Sequence, residues 1–150
     1  MKSRFVRRIF LSLLCATLYS MVPVAYATRV ADYLIIADEK FEISHWNDPK
    51  GGFHHEVDFD MANDSRTTSS AILMFVAFAN EDTKNVKFVV NINGQEQLNY
   101  TLNGNSVKTL HEVINPNILQ PGKNTIEFHP VSGDGKLHFG DVVLIYKREI

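Results

Sequence analysis

The segment from Asn115 to Tyr146, NPNILQPGKNTIEFHPVSGDGKLHFGDVVLIY, constrains the fold more than any other part of the chain. It reads as two buried strands, Asn124 to Val131 and Lys136 to Tyr146, each preceded by a turn. Pro121-Gly122 stands before the first, and Ser132-Gly133-Asp134-Gly135 separates it from the second. Proline presets φ and glycine admits positive φ, so both breaks have a stereochemical cause.

The rest of the chain keeps this rhythm. Ala31 to Ala37 is a short apolar run. From Phe53 to Met61 the pattern alternates, with Phe53, His55, Val57, Phe59 and Met61 on one face and His54, Glu56, Asp58 and Asp60 on the other. That period of two belongs to a half-buried strand. Ala71 to Ala79 is apolar on both faces, which predicts a central strand covered on both sides. Val86, Phe88, Val90 and Ile92 alternate up to Asn93-Gly94, a strong hairpin signal, and Leu98, Tyr100 and Leu102 alternate back. Val107 to Ile114 is a further extended segment. Short strands between Gly, Asn and Pro turns predict an all-β fold, an antiparallel sandwich or barrel.

The N-terminus reads as an export leader. Lys2, Arg4, Arg7 and Arg8 precede an apolar run from Ile9 to Val24, and Ala25-Tyr26-Ala27 fits a small-x-small cleavage site. Residues 1–27 are therefore expected to be a signal peptide and residues 28–150 a single domain, exported to the periplasm or beyond. Ser12, Thr17, Ser20 and Pro23 dilute the run below a comfortable membrane span. Arg7-Arg8-Ile9-Phe10-Leu11 also resembles the twin-arginine pattern, although Ser12 stands where lysine is common. The one cysteine, Cys15, lies in the leader, so the mature chain has no disulfide and no thiolate chemistry.

Of 15 Lys+Arg and 17 Asp+Glu, the leader takes four basic residues and no acid, which leaves 11 against 17, a formal charge of −6. That balance argues against nucleic acid and anionic lipid as partners. Neutral sugars and cations remain compatible with it.

Asn91-Ile92-Asn93-Gly94, the approach Ile118-Leu119-Gln120-Pro121-Gly122-Lys123-Asn124-Thr125-Ile126 and the final Gly140-Asp141-Val142-Val143-Leu144 together resemble the galactose-binding-like β-sandwich, the jelly roll of many carbohydrate-binding modules. The resemblance covers Val86 to Tyr146 and rests on turn and core residues. It implies an antiparallel β-sandwich of jelly-roll type and a carbohydrate or glycan ligand. It also implies a structural calcium ion near the edge formed by the first and last strands. Asp38, Glu39 and Asp141 are the candidate ligands, with Glu42 nearby; a strand-end aspartate at a Gly140 bulge is the plainer reading of Asp141.

Two constellations are candidates for binding. His54, Glu56, Asp58 and Asp60 share one strand face, with neighbours about 7 Å apart. Ionised carboxylates accept hydrogen bonds from sugar hydroxyls strongly. The same row suits Ca²⁺, or Zn²⁺ and Cu²⁺ if histidines from elsewhere join it. A solvated sheet face is the competing reading. Trp46, the sole tryptophan, precedes Asn47 and Asp48 in a loop-like context. It reads either as a platform for a sugar ring, with Asn47 and Asp48 bonding hydroxyls, or as a plug at one end of the core. His55, on the apolar face, reads as a hydrogen-bonded core histidine.

No nucleophile elbow, P-loop, zinc-protease helix or dinucleotide fingerprint is present in the sequence. The expected function is non-catalytic carbohydrate binding. The alternative is a secreted structural or adhesive protein that binds a surface or host protein through an exposed sheet, and a hydrolase ranks last.

Overall fold

The computed structural model describes residues 28–46 and 52–150. The leader expected at residues 1–27 lies outside these, as do Asn47 and Asp48. The described residues form eight strands and no helix: β1 (Arg29–Ala37), β2 (Phe41–His45), β3 (His55–Met61), β4 (Ala71–Ala79), β5 (Lys84–Ile92), β6 (Gln95–Leu102), β7 (Val107–Ile114) and β8 (Gly122–Glu149). Every pairing is antiparallel. The architecture is the expected antiparallel β-sandwich.

β8 is the organising element. Its first half lies between β3 and β5, with β6 beyond β5. Its second half lies between β4 and the pair β1 and β2, with β7 beyond β4. One 28-residue strand therefore belongs to both layers. Here the structure corrects the sequence reading. Ser132 to Gly135 does not end one strand and start another; it bends a continuous strand from the second sheet (β3, β5, β6 and the first half of β8) into the first (β1, β2, β4, β7 and the second half of β8). Gly133 and Gly135 make the bend at φ 99° and 123°. A Cβ at Gly133 would collide with the Asn85 carbonyl oxygen, and one at Gly135 would lie 2.9 Å from Thr83 Cα. Only glycine serves where the chain is both twisted and crowded.

The core fills the space between the layers. Phe75, Phe88, Phe128 and Phe139 are fully buried and meet one another at ring distances of 4.9 to 6.0 Å. Offset and edge-on contacts of this kind suit the aromatic quadrupole. Leu73, Ile92, Ile114, Ile126, Leu137 and Leu144 complete the interior. Each belongs to a strand whose alternate residues turn outward, as the period requires.

The turns are closed by polar side chains. Asn93 and Gly94 both have positive φ and join β5 to β6, the geometry of a two-residue hairpin loop. Asn124 is almost wholly buried. Its Nδ2 donates to the Gln120 and Gly122 carbonyls at 2.7 and 2.8 Å, while its Oδ1 accepts from Gln120 N and Asn93 Nδ2 at 2.9 Å. The approach to β8 is thus held by one side chain that satisfies four partners.

Two further expectations change. β4 is central in its sheet, but its outward face is open rather than covered. Ile72 is 42% exposed there, and Met74 and Val76 are half-buried. Phe53 does not continue the apolar face of β3: it is 71% exposed and bridges Ser44 outside the strand. The inward set begins at half-buried His55 and Val57 and is fully buried only at Phe59 and Met61.

Candidate functional site

The outer face of the second sheet gathers the polar residues. Glu56 on β3 stands opposite Glu127 on β8, Glu127 stands opposite Asn91 on β5, and Asn91 stands opposite Glu96 on β6. One row of the ladder therefore runs acid, acid, amide, acid across four strands. In the next row Asp58 opposes Thr125, whose hydroxyl donates to Asp58 Oδ1 at 2.8 Å. Lys123 Nζ stands 3.9 Å from the other Asp58 oxygen, and Asp60 lies opposite Lys123. His54, Glu56, Asp58 and Asp60 are all exposed, as the alternation predicts.

Repulsion between the acids is relieved locally. Asn91 Nδ2 donates to Glu127 Oε2 at 3.0 Å, and His129 Nδ1 lies 3.5 Å from Glu127 Oε1. The His54 ring is 6.1 Å from the His129 ring. His55, one residue on, faces inward and lies flat on Phe41 at a ring distance of 4.0 Å. Burial first, and the neighbouring His54 second, hold the His55 imidazole below its ordinary value. His55 is therefore a half-buried, stacked side chain at the margin of the core rather than the hydrogen-bonded core histidine expected.

Asn91, Glu127 and His129 extend the site beyond the residues singled out in the sequence. The signal was present as the Glu127-Phe128-His129 alternation, which puts acid and imidazole on one face and Phe128 in the core. What the sequence lacks is the register that lays this pair beside His54 and Glu56.

Trp46 is half-buried and directly follows β2. Its neighbour His45 pairs with Gly135, and the His45 Nδ1 lies 2.8 Å from the Gly133 carbonyl oxygen. Trp46 therefore leaves the sandwich at the bend of β8, the end of the molecule towards which His129 also lies.

Of the calcium ligands expected from the resemblance, Asp38 and Glu39 lie between β1 and β2 and Asp141 lies on β8. Ca²⁺ bonds of about 2.3–2.6 Å leave any two ligand oxygens at most about 5 Å apart. Asp38, Glu39 and Asp141 are exposed and form no such three-residue group among the described residues. Glu42 pairs instead with Lys136 Nζ at 2.8 Å. Asp141 has φ 53° and lies within the register shift between β4 and β8, where Met74 pairs with Val143 and Val76 with Gly140, so it belongs to the bulge itself. The bulge expected at Gly140 is displaced by one position.

The outer face of the first sheet has the opposite character. Tyr33, Ile145, Ile72 and Val113 form one row across β1, β8, β4 and β7, and Ile35, Val143, Met74 and His111 form the next. Tyr33, Ile35 and Val113 are each more than half exposed. Among the described residues no helix is long and apolar enough to cross a membrane.

No family model matches the chain, and no curated protein does. Among solved structures it is similar to the CBM36-1 domain of a multidomain xylanase from the hindgut metagenome of Trinervitermes trinervoides, at 16% identity over 79% of this chain and 96% of that one, with a TM-score of 0.44. It is also similar to a family 35 carbohydrate binding module from Clostridium thermocellum, at 17% identity over 79% of this chain and 98% of that one, TM-score 0.44. A third is the carbohydrate-binding module CBM36 in complex with calcium and xylotriose, at 16% identity over 80% and 98%, TM-score 0.39.

Proposed function

We propose that the chain is an exported, non-catalytic module that binds carbohydrate on the outer face of its second sheet. The observation that carries this reading is the row Glu56, Glu127, Asn91 and Glu96, with Asp58 and Thr125 beside it. Carboxylate and amide groups aligned at the ladder spacing of about 4.8 Å offer acceptors and donors to successive hydroxyls. Trp46, at the bend of β8, supplies the apolar surface for a sugar ring, with Asn47 and Asp48 following it in the chain. The test is a glycan array followed by calorimetry on the best ligand, with and without Ca²⁺. Glu56→Gln and Asp58→Asn should each weaken binding about tenfold, the loss of one charge-assisted hydrogen bond. A blank array, or affinities that ignore both substitutions, would remove the reading.

A second reading rests on the apolar rows of the first sheet. An exposed apolar face carrying Tyr33, Ile35, Ile72 and Val113 suits a protein partner. Tyr33→Lys would then abolish capture of that partner and leave glycan binding intact. Retention of capture in that variant would count against it.

A further inference from the structure

We infer that His54, Glu127 and His129 form a binding site for a divalent transition cation of the Zn²⁺ and Cu²⁺ class. One ligand atom from each residue falls within 4.8 Å of the other two, the one such group among the described residues. The donor set is two imidazole nitrogens and one carboxylate oxygen. Imidazole selects Zn²⁺, Cu²⁺ and Ni²⁺ over Ca²⁺ and Mg²⁺, which prefer all-oxygen cages. Two histidines, one carboxylate and water in the remaining position is an established arrangement for zinc.

The backbone explains the convergence. Glu127 and His129 are two apart on β8, so their side chains share one face. The pairing of His55 with Phe128 brings His54 alongside His129. His54 itself precedes β3, and both histidines are exposed, so their rings can turn without moving the sheet. Tetrahedral ligands at about 2.0–2.1 Å from zinc stand about 3.4 Å apart. The three ligand atoms already lie within 4.8 Å of one another, and His129 Nδ1 stands 3.5 Å from Glu127 Oε1, close to the tetrahedral spacing.

The surroundings favour the cation. Asn91 Nδ2 binds Glu127 Oε2 at 3.0 Å, which leaves Oε1 turned towards His129. Partners of this kind fix the orientation of a ligating carboxylate. Glu56, opposite Glu127, adds negative charge beside the site. The site shares Glu127 and Asn91 with the proposed carbohydrate row, but it is argued from the two imidazoles and does not rest on that reading.

The experiment is calorimetric titration of tag-free protein with ZnCl₂, paired with thermal unfolding in EDTA and in excess zinc. Zinc should bind at one equivalent per chain and raise the Tm. His54→Ala and His129→Ala should each weaken binding by tenfold or more and remove the Tm rise, while their Tm in EDTA stays at the wild-type value. Asn91→Ala should weaken zinc binding about tenfold, as expected of a positioning residue. CaCl₂ should give no comparable heat. Substoichiometric binding, or affinity unchanged in both histidine variants, overturns the proposal. Glycan binding that persists in EDTA leaves the carbohydrate reading standing whichever way the zinc titration falls.

Discussion

The Arg148 guanidinium grips the Asp64 carboxylate through two parallel hydrogen bonds, Nε to Oδ1 and Nη2 to Oδ2, each 2.8 Å long. Its remaining nitrogen, Nη1, donates to Asp32 Oδ2 at 3.0 Å. One arginine near the end of β8 therefore ties down both β1 and the loop before β4. Planar two-point pairing is the geometry in which arginine is most selective.

This cluster predicts an acid-sensitive stability. The hydrogen bonds from Arg148 are the first cause holding both Asp32 and Asp64 below the ordinary carboxyl value of 3.8. A depressed folded-state pKa contributes stability that is complete above the unfolded value and lost as pH falls through the folded one. Urea midpoints of the wild type should fall as pH drops below about 4, and Arg148→Met should flatten that part of the decline. Equal acid sensitivity in the variant would refute the assignment. Because the three side chains are each about a third exposed, added salt should also narrow the difference.

The bend in β8 predicts a sharp contrast between two glycines. Gly133→Ala places a methyl group against the Asn85 carbonyl at a φ that L-residues avoid, and should cost about 3 kcal/mol or more. Gly94→Ala has open space around the new atom despite φ 76°, and should cost about 1–2 kcal/mol. Urea unfolding of the two variants checks the order. A tolerated Gly133→Ala would mean that the two halves of β8 are not joined as described.

Removing a ring from the core should be expensive. Phe128 is fully buried and meets Phe75 edge-on at 5.4 Å and Phe139 at 4.9 Å. Phe128→Ala is expected to lose about 3–5 kcal/mol, the usual cost of an aromatic cavity. Phe53→Ala should change stability by less than about 0.5 kcal/mol, since that ring faces water.

The Asn124 clamp is the polar counterpart. Asn124→Ala strands two carbonyls and two donors around a buried position, and should cost about 2–3 kcal/mol. Asn124→Asp should be no better, because it turns a carboxylate oxygen towards the Gln120 and Gly122 carbonyls. Thermal unfolding distinguishes these from a neutral surface change, which would leave the Tm where it was.

Local patterns in the sequence carried most of the strands. The alternation around Val57 and Phe59, the Asn93-Gly94 hairpin and the apolar run of β4 each follow from side-chain period and turn stereochemistry. Long-range register is another matter. Nothing near Glu127 or His129 shows that they come beside His54, because that contact depends on pairing between segments some 70 residues apart. The glycines at 133 and 135 were legible as a break, but a glycine pair looks the same whether the chain reverses or bends onward. Apolar residues on both faces of β4 suggested a second covering layer; the outer face of the first sheet instead remains open, a pattern that local sequence does not separate from burial.

The strand that joins the two layers has a consequence for how the molecule is made. β8 follows all of its partners in chain order, and β1, β2, β3, β4 and β5 each pair with it. Until it leaves the ribosome, little beyond the hairpin of β5 and β6 and the pair of β4 and β7 has a neighbour to bind. Folding of the two layers should therefore wait for β8 and be slow, because its pairings join segments far apart in the chain. During that wait the unsealed edges are open to chaperones and to mispairing alike.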